Sequence, residues 1–179
     1  MRTATIQVYK FEELSQKAKD AARAEFMSWG YSWQKEAFDS LKELIARFGA
    51  KLDNWQIDYF ACSHSSIKID ADACEYEEDE LRAIIDGLGS YNPETLKGLG
   101  DCVLTGYCMD EAAIDGVRAA YFAGVRNVEK LLQAGFDSWL KSCQADCESQ
   151  FTDEYLVDHC EANEYEFTEA GELFTRGAI

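Results

Sequence analysis

The feature that most constrains the fold is a helical period in the second half of the chain. Apolar residues recur there every three or four positions: Ile114, Val117, Tyr121, Val125, Val128, Leu132, Phe136, Trp139 and Cys143. Because an α-helix turns once in about 3.6 residues, this spacing lines them up on one face. The pattern predicts a long helix that begins at Asp110 as its N-cap, with Gly135 as the position of a kink or interruption.

The start of the chain predicts one strand and two helices. Residues 4–11 alternate between apolar and polar side chains, which is typical of a strand. Residues 12–30 have apolar side chains at helical spacing, with Gly30 as the terminating residue. A second helix is predicted from Ser32, its N-cap, to Gly49.

Shorter elements are predicted in the middle of the chain. Residues 54–73 alternate in two pieces around a Ser/His turn, which indicates a hairpin with its first strand over 57–61. Residues 75–90 predict an acidic helix that stops at Gly87 or Gly89. A loop at 90–100 and a strand at 101–109 follow.

The last elements are a short helix that Thr152 starts, with two acids in its first turn, and a closing strand and turn over 163–174. Together the elements predict an α+β fold, in which a small, mostly antiparallel sheet packs against helices and a long C-terminal helix supplies much of the core. We expect one domain over 1–179. Its parts are a near-neutral 1–50, a hairpin, acidic helix and strand in 51–108, and a helical 109–179 that ends in an acidic strand.

The location that the sequence predicts is a cytoplasm. No run of about 18 apolar residues is present to span a membrane, and the first residues lack the apolar core of a secretory signal. The seven cysteines are therefore expected to be reduced thiols, mostly buried and inert. They are Cys62, Cys74, Cys102, Cys108, Cys143, Cys147 and Cys160.

Charge is distributed unevenly along the chain, which has a net charge of −17. Residues 1–50 hold 8 Lys/Arg and 7 Asp/Glu, whereas residues 51–179 hold 9 and 27. Such a surface repels nucleic acid and anionic membrane and favours a basic protein as partner. The competing interpretation is that the acids only keep the protein soluble.

Two acidic runs contain no Lys or Arg: residues 70–80 with seven acids and residues 146–172 with ten. In a helix after Thr152, Glu154, Asp158 and Glu161 would form a stripe. In a strand after it, Glu164 and Glu166 would share one face while Tyr165 and Phe167 face the core. The candidate partner-binding residues are Asp70, Asp72, Glu77, Glu78, Asp79, Asp146, Glu148, Asp153, Glu154, Asp158, Glu161, Glu164 and Glu166.

Motifs that carry chemistry are weak. Cys143 and Cys147 share a helical face and His159 adjoins Cys160, which could supply zinc ligands, but burial of the two cysteines among apolar residues is the competing interpretation. Cys62 near His64 is the one local candidate for a Cys–His nucleophile pair. The chain has no phosphate loop, HExxH or GxSxG. We therefore assign no catalytic, cofactor or metal residue and predict no enzyme.

Two stretches carry a resemblance to a known family. "VYKFEELSQKAKDAARAEF" near the start and "ANEYEFTEAGELF" near the end resemble small, mostly uncharacterised proteins encoded by bacteriophages and prophages. The similarity covers about the first 26 and the last 40 residues, with a weaker similarity at "IDYFACSHSS". There the family has a glycine-rich turn, but this chain has Ala61, Ser63 and Ser65. The resemblance implies a phage accessory protein that acts in the host cytoplasm, and it transfers no catalytic residue.

These observations lead to three hypotheses. The first is an inhibitor of a host anti-phage complex, of the CRISPR-Cas or restriction type, whose acidic surface imitates nucleic acid and binds a basic groove. The second is an antitoxin or regulatory module that binds a protein through an apolar patch at Trp29, Tyr31 and Trp33, unless this cluster is a corner packed into the core. The third is a small zinc protein or enzyme.

Overall fold

The computed structural model describes residues 6–89, 104 and 109–174 of the chain. Within them the predicted α+β fold is confirmed: helices dominate, and two antiparallel strands form a small sheet. In chain order the elements are α1 (Gln16–Ser28), α2 (Gln34–Arg47), β1 (Lys51–Gln56), β2 (Ser66–Asp70), α3 (Glu78–Gly87), α4 (Met109–Phe122), α5 (Val128–Ser149) and α6 (Asp153–Ala162). Short 3₁₀ helices lie at Phe11–Glu13 and Cys62–His64.

The chain divides into two compact units. One contains Met1–Ser32 and Cys147–Ile179, and we call it the terminal unit. The other is Trp33–Asp146, the central unit. The expectation of a single domain stays a prediction.

The core of the terminal unit is formed by α1, α6 and the segments that flank them. Ser15 caps α1 by accepting a hydrogen bond from the backbone N–H of Ala18, and Thr152 caps α6 in the same way through Tyr155, at 3.3 Å in each case. The Thr152 cap confirms the predicted start of the last helix. The buried side chains are Phe11, Leu14, Ala18, Ala22, Phe26, Leu156, Cys160 and Phe167.

Within the described residues, the prediction of an extended strand at each end of the chain is wrong. Tyr9 and Phe167 exchange backbone hydrogen bonds of 2.9 and 2.8 Å, and Phe167 also forms a bridge to Leu173. The chain cannot stay extended around these bridges, because Glu164 and Gly171 have φ angles of +54° and +88°. Positions 4 and 5 of the predicted first strand lie outside the described residues.

In the central unit β1 and β2 form the predicted hairpin, with Lys51 opposite Asp70 and Gln56 opposite Ser66. The first strand lies earlier than predicted, however, and the prediction of strand over 57–61 is wrong. The Asp58 carboxylate accepts hydrogen bonds from the backbone N–H groups two and three residues on, at 2.9 and 3.0 Å. The backbone N–H groups that a strand would have used for pairing therefore donate within this local turn.

The long helix predicted from Asp110 is two helices. It is broken at 123–127, where Gly124 has a φ of +95°, and not at Gly135, which lies inside α5. Gly135 instead allows α4 and α5 to approach closely, since a Cβ there would lie 2.7 Å from Val117 Cγ2. Asp110 lies in the first turn of α4.

The predicted helix ends are mostly confirmed. Gly30 and Gly49 follow α1 and α2 with φ angles of +87° and +64°, and α3 ends at Gly87. The predicted starts fit less well. The first helix begins at Gln16, after a Ser15 cap, and not at residue 12, and α2 begins after Trp33, without a capping side chain, and not at a Ser32 cap. The predicted loop at 90–100 and strand at 101–109 lie outside the described residues, apart from Leu104 and Met109.

Candidate partner-binding surface

The acidic stripe predicted on the last helix is present on α6. Glu154, Asp158 and Glu161 are exposed and lie three or four residues apart, so they follow one another along one side of the helix. Among the described residues, no Lys or Arg forms an ion pair with any of the three. Three neighbouring carboxylates therefore face solvent without a cation beside them. We call these residues the acidic stripe.

Asp153, one residue before the stripe, has a different environment. It forms ion pairs with Arg23 and, at 3.5 Å, with Lys19, both on α1. Arg23 also donates to the Phe151 carbonyl oxygen at 2.9 Å and to Asp20 at 2.9 Å. Asp153 is thus a structural residue that holds α6 to α1, which the sequence did not reveal.

A pocket of about 370 Å³ adjoins the stripe within the terminal unit. Its polar lining consists of Lys10 and four carboxylates; these are Glu12, Glu161, Glu164 and Glu166. Its apolar lining is provided by Phe11, Val157, Cys160 and Tyr165. We call it the acidic pocket. A cation with an aliphatic stem suits this combination of apolar wall and carboxylate rim.

The predicted two-faced strand at 164–167 is replaced by a turn, but its carboxylates still come together. Glu164 and Glu166 both line the acidic pocket, although Glu164 is exposed and Glu166 is half-buried. Phe167 is buried, as expected, and Tyr165 is half-buried against the core. Asp146 and Glu148 lie in the last turn of α5, where Asp146 is half-buried and Glu148 exposed.

The acidic run at residues 70–80 lies in the central unit, and some of its acids form local hydrogen bonds. Glu78 accepts hydrogen bonds from the Tyr121 hydroxyl at 2.7 Å and from Arg126 Nε at 2.5 Å. These bonds, that of Tyr121 first, hold the pKa of Glu78 below its usual value. Glu77 forms a capping box with Glu80 at the start of α3. Asp70, Asp72 and Asp79 are exposed.

A second pocket of the terminal unit, of about 290 Å³, is rich in aromatic side chains. The rings that line it belong to Phe26, Trp29, Phe151, Tyr155, His159 and Tyr165. Trp29 meets Tyr165 edge to face, with ring centroids 6.3 Å apart, and Tyr155 stacks on His159 at 5.8 Å. We call it the aromatic pocket. The sequence did not predict it, because its rings come from α1, α6 and the segments after α5 and α6.

The tryptophans of the predicted aromatic cluster are open to solvent. Trp29 is 54% and Trp33 is 53% exposed, whereas Tyr31 is 4% exposed and belongs to the core. The apolar-patch interpretation thus fits the two tryptophans and the packed-corner interpretation fits the tyrosine.

Three of the cysteines that the structure describes are buried: Cys143, Cys147 and Cys160. Burial raises the pKa of the Cys160 thiol to about 11. Cys62 donates to the Leu140 carbonyl oxygen at 3.6 Å, and His64 lies 3.7 Å from Asp58. Within the described ranges, no three His, Cys, Asp or Glu side chains are arranged to hold a metal ion.

No family model, no curated protein and no solved structure matches this chain. In the part of the chain that the structure describes, none of the helices has the length and apolar character needed to cross a membrane.

Proposed function

We propose that this chain is a non-enzymatic binding protein that blocks a basic, nucleic-acid-binding surface of a partner protein. The observation that carries the proposal is the acidic stripe: three exposed carboxylates without a described cation partner, one of which, Glu161, also rims a pocket with three further carboxylates. Neighbouring carboxylates on α6 are roughly 5–6 Å apart at their β-carbons, which is comparable to the separation of phosphates along one nucleic-acid strand. Lysine and arginine side chains that bind phosphates can bind such a row.

The resemblance of the two chain ends to phage proteins narrows the proposal. The partner would be a complex of the bacterial defence against phages, of the CRISPR-Cas or restriction type, and the chain would act in the host cytoplasm. Occupation of the nucleic-acid groove would then prevent that complex from binding its target. This is inhibition by one molecule per site and needs no catalytic residue or cofactor.

The proposal predicts a salt-sensitive interaction that depends on the stripe. The chain would be immobilised, used to capture proteins from a bacterial lysate, and eluted with salt rising to about 0.5 M, where screening between exposed charges is strong. We expect a basic nucleic-acid-binding protein to elute, and double-stranded DNA added to the column to displace it. A partner that stays bound at high salt, or that DNA does not displace, would contradict nucleic-acid mimicry.

Charge-reversal variants locate the interaction. The test variant replaces Glu154, Asp158 and Glu161 by Lys. The control replaces three acids outside both acidic runs by Lys: Glu36, Asp115 and Glu129, all exposed. Both variants change the net charge equally, so loss of capture by the test variant alone assigns binding to the stripe. Equal loss by both would show that only the overall charge matters.

The exposed tryptophans favour a second candidate, a module that binds a protein through apolar contacts. Binding of that kind would persist at high salt and in the stripe variant. Substitution of Trp29 or Trp33 by Ser would abolish it.

A further inference from the structure

The aromatic pocket is separate from the acidic pocket, but both open beside the same helix. Tyr155 and His159 lie one turn apart on α6 and line the aromatic pocket. Val157, Cys160 and Glu161 are on the other side of the helix and line the acidic pocket. At about 100° per residue, the acidic stripe runs along the exposed side of α6, with Tyr155 and His159 to one side of it and Val157 and Cys160 to the other. Its last member, Glu161, also lines the acidic pocket. A cation drawn to the stripe therefore comes close to the aromatic rings.

The lining of the aromatic pocket excludes most ligand classes. It holds no Asp, Glu, Lys or Arg, so it offers ring faces and edges in place of a full charge. Nucleic-acid bases stack on such rings, but the phosphates attached to them would meet the carboxylates of Glu154 and Asp158. A flat or weakly hydrated cation meets no such opposition, because both the ring faces and the carboxylates attract it.

We propose that the aromatic pocket binds the guanidinium group of an arginine of the partner. Guanidinium is planar, is more weakly hydrated than an ammonium group, and stacks on aromatic faces while its N–H groups donate to carboxylates. Trp29 is the chief contact, because it lines the pocket, is 54% exposed as a residue, and is held in place by edge contacts to Phe26, at 4.8 Å, and Tyr165. Asp158, next to His159 on the exposed side of α6, provides the carboxylate.

This inference rests on the proposed function in so far as the arginine belongs to a basic partner, and it adds that arginine is preferred to lysine. A lysine ammonium is a compact, strongly hydrated charge that pairs well with carboxylates alone. The acidic stripe should therefore attract both cations, whereas the aromatic pocket should distinguish them.

The test measures the affinity of two synthetic peptides of equal length and charge, hexa-arginine and hexa-lysine, by isothermal titration at low salt. We expect hexa-arginine to bind more tightly to the wild-type chain. Trp29→Leu should lower the affinity for hexa-arginine by about 3- to 10-fold, which is in the range of cation–π contacts at half-exposed sites. It should lower the affinity for hexa-lysine by less than about 2-fold. The matched control is Trp55→Leu, which removes an equally exposed tryptophan (52%) from the central unit and should change neither affinity.

Each outcome separates this inference from the proposed function. If both peptides bind equally and Trp29→Leu changes neither affinity, the pocket inference is overturned while the acidic surface remains a binder of cations. If neither peptide binds to the wild-type chain, the proposed function fails as well. A single-stranded DNA oligonucleotide is the third probe. Tight binding of the oligonucleotide that requires Trp29 would assign the pocket to base stacking and overturn the inference.

Discussion

The terminal and central units carry similar shares of acid but arrange it differently. By sequence, the terminal unit has 13 acidic and 6 basic residues and the central unit has 21 and 11. On the helices of the central unit, however, acids and bases alternate at pairing distance: Asp39 with Lys35, Glu43 with Arg47 and Asp86 with Arg82. Residues 147–174 of the terminal unit contain nine acids and no base.

This difference shows that net charge is a poor guide to a binding surface. Ion pairs at i,i+4 neutralise the field of a helix locally and contribute only a few tenths of a kcal/mol each. A segregated run leaves its field intact. Among the described residues, Lys19 and Arg23 of α1 form ion pairs with this run, and both bind Asp153. The remaining acids of α6 stay available to a partner.

Two glycines, one in each unit, differ in what an alanine substitution would do, and this gives the largest expected effect. Gly171 has a φ of +88°, and a Cβ there would overlap the Ala18 carbonyl oxygen of α1. Gly171→Ala should therefore lower the free energy of unfolding by about 3 kcal/mol or more, from strain and overlap together. Urea denaturation followed by circular dichroism measures it.

The control for this prediction is Gly87→Ala in α3 of the central unit. Gly87 is helical and has no atom within 4 Å of its missing Cβ. Alanine should be neutral or stabilise there by up to about 1 kcal/mol. Equal destabilisation by the two variants would show that the close contact of Gly171 with α1 does not contribute to stability.

The next largest effect concerns the ion pairs of the two units. Arg23 is 25% exposed and its guanidinium binds Asp153, Asp20 and the Phe151 carbonyl. Arg23→Ala should lower the free energy of unfolding by about 1–3 kcal/mol, as expected for hydrogen bonds to charged groups. Lys35→Ala, which removes a Lys that is 82% exposed, should leave it close to the wild-type value, because solvent screens exposed ion pairs. Denaturant midpoints test both, and the contrast would fail if Lys35→Ala cost as much as Arg23→Ala.

Local signals in the sequence were sufficient for much of the fold. The ends of α1, α3 and α6 follow from Ser, Thr and Gly residues that act within one turn, and the acidic stripe follows from helical spacing alone. The break between α4 and α5 was missed because Val125 continues the apolar period across Gly124. The spacing of apolar residues indicates which face of a helix is buried, but it does not indicate where the backbone changes direction.

What the sequence could not predict depends on distant residues. The alternation near Tyr9 and Phe167 predicts strands, but the two residues form an isolated bridge with each other across more than 150 positions of sequence. Arg23 and Asp153 are separated by 130 positions. Both pockets are likewise built from rings and carboxylates of both chain ends. The local spacing of apolar and polar residues cannot predict contacts between residues so far apart in the sequence.

A smaller, pH-dependent effect is expected at Glu78 of the central unit. Its pKa is lowered in the folded state by the Tyr121 hydroxyl and by Arg126. A carboxyl group with a depressed pKa stabilises the fold above its unfolded pKa of about 4.3, and this contribution is lost as the pH falls through the folded value. Glu78→Gln should therefore be less stable than wild type at neutral pH, and the difference should shrink as the pH falls below about 4.3 and through the lowered folded pKa.

Tyr121→Phe provides the check on this mechanism. It removes the largest cause of the lowered Glu78 pKa but keeps the ring. The pH dependence of the denaturant midpoint should be weaker in Tyr121→Phe than in wild type. Glu78→Gln should change the midpoint less in the Tyr121→Phe background than it does in the wild-type chain. Additive effects of the two substitutions would contradict a shared hydrogen bond.

The smallest expected effect returns to the comparison between paired and unpaired acids. Asp158 lies between Glu154 and Glu161 in the acidic stripe, so Asp158→Asn removes two repulsions and should stabilise the terminal unit by a few tenths of a kcal/mol at low salt. Asp153→Asn, five residues earlier on α6, should destabilise it, because Lys19 and Arg23 lose their ion pairs with this carboxylate. Thermal unfolding at low and high salt measures both, and the gain at Asp158 should vanish with salt. If Asp158→Asn also weakens binding of the hexa-arginine peptide, the chain keeps at this position a charge that lowers its own stability and serves recognition.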